Sequence, residues 1–200
     1  SGMYSFFVYT PEIYEKFLGK LFKKYFPEFV VEEQRKKKAW KIQYEDENED
    51  GTYSIRTDIL LKDNDNDKLK HLVDAKYMEE IKSSDRYEIG FYIHEYDMVE
   101  GFALLPHDQR GQQGYQRLED KTITSEVQGI RIHIKHVDID DLLLKMEGDC
   151  DVCGRPLSEP THENCSSEFK EEIRGFITPS SKNVEWWEGL GEDLKIDIEI

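Results

Sequence analysis

Apolar positions recur at helical spacing near the start of the chain. Thr10-Pro11-Glu12 has the marks of a helix start: a capping residue, proline at the first helical position, and an acid in the first turn. Ile13, Phe17, Leu21 and Tyr25 follow at every fourth position, with Tyr14, Leu18 and Phe22 alongside. Lys16, Lys20, Lys23 and Lys24 fall largely off that stripe, so an amphipathic helix is expected, ending near Pro27. The period then shortens. Residues 39–44 suit a strand, EDENEDG (45–51) an acidic turn, and 53–61 and 69–77 two strands joined by the polar run 62–67 as a hairpin. The segment 86–96 is compatible with helix or strand, and 98–106 reads as a strand. The Gly/Gln-rich stretch 110–121 reads as a loop. Ile130, Ile132 and Ile134 alternate with Arg131, His133 and Lys135, the pattern of a half-buried strand, and a short helix is expected over 138–146. Beyond it, 169–176 suits a short helix and LKIDIEI (194–200) an edge strand. This order predicts an α/β fold with a mixed sheet flanked by helices. The expected division is a core over 3–146, a small module over 147–168, and a C-terminal helix and strand extension over 169–200 packing on the core.

Composition narrows the class. The 200 residues carry 27 Lys/Arg and 43 Asp/Glu, a net charge of -16. A chain this acidic lacks the overall footprint of a nucleic-acid binder. The charge is uneven, however: residues 1–44 hold nine Lys/Arg against five Glu, a net +4 that leaves -20 for the remainder. Arg35-Lys36-Lys37-Lys38 is read as a solvated turn leading into a strand, with a phosphate-facing patch as the alternative. No apolar run is long enough for a bilayer, so no membrane partner is expected and a cytoplasmic location is. Ser1-Gly2 ahead of Met3 reads as a tag remnant and is left out of the fold argument.

The informative chemistry lies in RTDILL (56–61) and LVDAKY (72–77). Asp74 and Lys76 are two apart on an otherwise apolar strand and so share a face. Ionisable groups there are costly unless paired or metal-bound. A hairpin pivoting about Asn66 sets position 58 opposite position 74, which brings Asp58 and Asp74 to about 5 Å between Cβ atoms. Two carboxylates that close repel unless a cation lies between them, and Mg²⁺ is the hard, oxygen-seeking choice. Lys76 can then hold an attacking water or stabilise charge on a phosphate oxygen. The plainer reading is a strand pair with an Asp–Lys ion contact.

With a helix ahead of them, these two motifs resemble the PD-(D/E)XK nuclease superfamily. Asp58 matches its first metal-binding acid, and Asp74 with Lys76 its (D/E)-x-K pair. Glu15, with Glu12 as competitor, matches the acid the family often carries on its first core helix. Glu88 and Tyr92 have the spacing of the Gln-x-x-x-Tyr motif of RecB-like members, with Glu in place of Gln. Thr57 stands where the family has proline. YEKF, RTDI, VDAKY, DRYEIGFY and GFALLP together are most similar to the nuclease subunit of McrBC-type, 5-methylcytosine-specific restriction systems, over about residues 12–145. The resemblance implies a restriction-endonuclease-like core and Mg²⁺- (or Mn²⁺-) dependent hydrolysis of DNA phosphodiester bonds in a restriction or defence system. It implies metal ligation by Asp58, Asp74 and the Ala75 carbonyl, with Glu15 contributing. It further implies a Lys76 that positions the nucleophile, with Glu88 and Tyr92 orienting substrate. RNA or branched DNA would suit the same chemistry. The segment by which that restriction subunit engages its motor is not expected here. That argues against engagement of a nucleotide-driven motor; the partners expected are DNA and a partner protein or motor subunit, or a second copy. The alternative is a catalytically weak or inactive nuclease-like protein that serves as a DNA- or protein-binding subunit.

All three cysteines sit in CDVCGRPLSEPTHENC. Cys150 and Cys153, then His162 and Cys165, form two pairs of ligands suited to tetrahedral Zn²⁺ in a small structural knuckle. An iron–sulfur cluster is the rival, and it lacks an upstream cysteine. His133 and His136 are read as surface or satisfied groups.

Overall fold

The computed structural model describes residues 10–43, 50–107, 119–125, 129–148, 168–179 and 184–187. Among them, α1 (Thr10–Tyr25) is followed by β1 (Phe29–Gln43), β2 (Asp50–Asp63), β3 (Leu69–Ala75), α2 (Ser83–Glu95) and β4 (Glu100–His107). Then come β5 (Lys121–Ser125), β6 (Ile130–Asp138), α3 (Ile139–Met146), α4 (Glu168–Gly175) and β7 (Val184–Trp187). The described strands form one mixed sheet in the order β1-β2-β3-β4-β6-β5-β7. β1, β2 and β3 form an antiparallel meander, β4 runs parallel to both β3 and β6, and β5 is antiparallel to β6.

The apolar stripe of α1 turns inward from Tyr14 onward, while Ile13 at its start stays exposed. Leu18 and Phe22 are fully buried, and they pack with Ile59 and Leu61 of β2, Val73 of β3, and Phe102 and Leu104 of β4. α4 closes this layer from outside: Phe169 meets Tyr25 edge-to-face at 5.2 Å, and Arg174 pairs with Glu28 at 2.8 Å. A second layer forms on α2, where Ile89 and Ile93 cover Ala103, Leu105, Ile132 and Ile134. Tyr92 packs with Ile55, Leu60 and Leu72. The sheet therefore carries a helix on each side, and Asp138 caps α3 by accepting a hydrogen bond from the Asp141 N–H at 3.0 Å.

Several expectations change. The first strand begins at Phe29, ten residues before the expected start, so Arg35-Lys36-Lys37-Lys38 lies within β1 and is no turn. Charge misleads there because β1 is an edge strand, whose backbone needs a ladder on one side only, and lysines are ordinary edge residues. The ambiguous segment 86–96 is helical as α2. Lys121, assigned to the loop, opens β5, and β7 at Trp186-Trp187 is a strand that no periodicity announced. The expected strand at 194–200 lies outside the described residues, as does the module expected over 147–168 except for residues 147, 148 and 168. No helix among the described residues is long and apolar enough to cross a membrane.

Candidate active site

The hairpin register decides the site. Ile59 pairs with Val73, Leu60 with Leu72 and Leu61 with His71, a register whose pivot is Asn66. The paired ladder ends there, and just beyond it the Asp58 carboxylate accepts a hydrogen bond from the Ala75 N–H at 2.8 Å, near enough to Asp74 for its charge to be felt. β3 ends at Ala75, and the Lys76 N–H donates to the Leu104 carbonyl of β4 at 3.0 Å. That backbone bond anchors Lys76 at the strand end. Its ammonium lies 3.0 Å from Asp74 Oδ2, 2.6 Å from Glu88 Oε2 and 3.8 Å from Asp85 Oδ1.

Burial makes this cluster electrostatically tense. Asp74 is only 3% exposed, and its Oδ2 has no well-aimed hydrogen bond despite the nearby ammonium. Burial and then the neighbouring Asp58 push its carboxyl up to about 7, although Lys76 pulls the other way. Asp58 is also raised by burial, eased by the Ala75 N–H and by Lys76. Glu15 is buried on α1, its Oε1 has no hydrogen-bond partner, and burial followed by the Asp58 charge raises it as well. Glu12, its competitor, is exposed and paired with Lys16 at 2.7 Å. Glu15 is thus the helix acid that senses Asp58.

α2 supplies the opposing wall. Glu88 accepts from Lys76 through Oε2 and from the Tyr92 hydroxyl through Oε1 at 2.7 Å. Burial works against the Glu88 charge, but these two hydrogen bonds hold its carboxyl below the usual range. Burial likewise opposes the Lys76 charge, and Asp74 and Glu88 raise its proton affinity all the same. Asp85, which no motif flagged, joins the cluster from the first turn of α2 while its other oxygen accepts from the Lys82 N–H at 2.9 Å. An acid at a helix start was the available signal.

The structure thus gathers Asp58, Asp74, Ala75, Lys76, Glu88 and Tyr92 at one end of the hairpin, with Glu15 acting on Asp58 from α1. Buried oxygens on Asp74 and Glu15 without hydrogen bonds, and three carboxyls raised by burial, fit a hard divalent cation. The Lys76 ammonium stands in the cation's role beside Asp74 here. No group of three or more His, Cys, Asp or Glu among the described residues is close enough to hold a metal. Cys150, Cys153, His162 and Cys165 lie outside the described residues. His133 is buried and satisfied, its Nδ1 sharing a hydrogen bond with Thr122 Oγ1 at 2.9 Å.

No protein-family model matches the chain, and no curated protein matches it. Among solved structures, a chain of a Thermococcus gammatolerans assembly of McrB AAA+ hexamers with bound McrC shares the fold. The TM-score is 0.52 at 11% identity. The match covers 86% of this chain but only 33% of that chain, so the present sequence spans about a third of its length. At that identity the likeness is one of fold.

Proposed function

We propose that this chain is a metal-dependent nuclease of restriction-endonuclease-like fold, cleaving DNA phosphodiester bonds within a McrBC-related restriction or defence system. The observation that carries the proposal is the meeting of Asp58, inside β2, with Asp74 and Lys76 at the end of β3, and with Glu88 and Tyr92 closing on them from α2. The fold likeness to a chain of a McrB–McrC assembly supports the same reading and favours a protein partner. Asp58, Asp74 and the Ala75 carbonyl would hold Mg²⁺ or Mn²⁺, which supplies charge stabilisation at the phosphoryl group and a more acidic water. Lys76, fixed through its own backbone N–H, holds the attacking water or a phosphate oxygen. Glu88 and Tyr92 set the direction of that ammonium. The spacing of Cys150, Cys153, His162 and Cys165 supports a structural zinc knuckle.

A second reading has its own observation. The 2.6 Å Lys76–Glu88 pair, where RecB-like members carry Gln, ties up the ammonium. It favours a weak or inactive nuclease-like subunit that binds DNA or protein. Incubation of the full chain with plasmid, methylated plasmid and single strands, with Mg²⁺ or Mn²⁺, separates the two. The nuclease reading predicts cleavage that Asp74→Ala and Lys76→Ala abolish. Cleavage that survives both substitutions removes the site, and none by the wild type with any substrate leaves the binding subunit.

A further inference from the structure

In a chain of net charge -16, cations are ordinarily claimed by acids. In the basic run of β1, two cations have such partners or a substitute for them. Arg35 is paired with Glu32, and Lys37 reaches the Glu95 carbonyl at the end of α2 and lies 4.7 Å from the Tyr96 ring centroid. Lys36 has neither. It is exposed, and directly opposite it on β2 stands Arg56, also exposed. Among the described residues neither side chain makes an ion pair or a hydrogen bond. Like charges directly opposite on neighbouring strands are destabilising, and an anion shared between them relieves that cost.

Position relative to the site gives the pair meaning. Arg56 is two residues before Asp58 on the same strand, about 7 Å along β2 at the usual rise. That is about two base steps of a nucleic-acid strand, which rises about 3.4 Å per nucleotide. Arg56 already acts through space on Glu12, Glu15 and Asp58.

We propose that Lys36 and Arg56 form a phosphate subsite that grips the nucleic-acid backbone one or two nucleotides from the bond placed over Asp58 and Asp74. The inference rests on the nuclease reading for its substrate. The subsite offsets the acidic surface locally and fixes the register of the strand, while the sequence is read elsewhere. A rival account makes Lys36 a guard against strand addition at the sheet edge. It covers Lys36 on β1 but leaves Arg56, on the interior strand β2, without a reason.

The test is fluorescence anisotropy with a labelled 20-base-pair duplex and its single strand, across a salt series. It uses the full chain in the Asp74→Asn background, which removes hydrolysis from the readout. Lys36→Gln and Arg56→Gln should each weaken binding roughly threefold to tenfold and reduce the slope of log affinity against log salt by about 1. Arg56→Lys should keep the wild-type slope. Lys70→Gln is the charge control: Lys70 pairs with Asp63 at the far end of β3 from the site. Slopes and affinities for Lys36→Gln and Arg56→Gln equal to those of Lys70→Gln would overturn the subsite. So would a lack of DNA binding at low salt, or unchanged binding with new self-association of Lys36→Gln. Binding that behaves as expected in a wild type that cuts nothing would keep the subsite and sink only the hydrolysis.

Discussion

Asp74→Asn should make the protein more stable above neutral pH while removing its activity. The Asp74 carboxyl rises from its ordinary 3.8 to about 7 in the folded chain because it is buried and feels the Asp58 charge. Between those two values the unfolded chain is ionised at this position while the folded chain keeps the proton. The folded state therefore binds more protons, and stability falls as pH rises from about 4 to about 7. The full shift corresponds to roughly 4 kcal/mol. That shift already includes the pull of Lys76, and an amide at position 74 carries no charge to desolvate; its poorer fit beside the half-buried ammonium leaves a net gain of about 2 kcal/mol at pH 8. For a chain of this size that is about 4–8 °C in Tm. Urea titrations of wild type and variant at pH 5 and pH 8 measure it. The two proteins should differ little at pH 5, and the variant should be the more stable at pH 8. A variant no more stable at pH 8, or one with the same pH slope as wild type, refutes the argument that Asp74 is a strained, function-bearing acid.

Glu88→Gln should retain cleavage, because an amide can still accept from Lys76 and donate to Tyr92. The lost charge costs about 1 kcal/mol at this half-exposed position, read by plasmid nicking and urea denaturation. His71 lies between the Phe29 and Phe102 rings at 5.5 and 5.7 Å, its Nδ1 has no hydrogen bond, and burial lowers its proton affinity. The unfolded chain therefore takes up a proton below about pH 6.5 that the folded chain resists, and stability drops as the solution is acidified. His71→Phe should remove that acid-side loss and add roughly 1 kcal/mol at pH 5 in thermal denaturation; equal acid sensitivity in both proteins would contradict it. Metal analysis of the purified chain should find about one zinc, lost on Cys153→Ser, if the cysteine pairs form the knuckle.

The hairpin was legible because its turn residues lie between two apolar runs, and side-chain alternation permits only registers that keep Leu60 and Leu72 inside. Asp58 and Asp74 came with that register. The long edge strand was hidden because Arg35 to Lys38 carry no alternation of apolar residues, and pairing with β2 holds them extended. β5 and β7 were missed since each is short: β5 gains its order from pairing with β6, and β7 from pairing with β5. The role of Glu88 as a tether between Lys76 and Tyr92 needed the approach of α2 to the end of β3, a long-range contact that spacing alone cannot give. The same holds for Lys36 and Arg56, twenty residues apart in sequence and opposite in the sheet.

The most direct test of the central claim is a crystal structure of the full chain grown with Mn²⁺, using anomalous scattering to place the ion. The account predicts one strong peak between the Asp58 and Asp74 carboxylates, in contact with the Ala75 carbonyl, with the Lys76 ammonium turned off Asp74. A peak elsewhere, or a Lys76 still locked against Asp74 and Glu88 with no ion beside them, contradicts it.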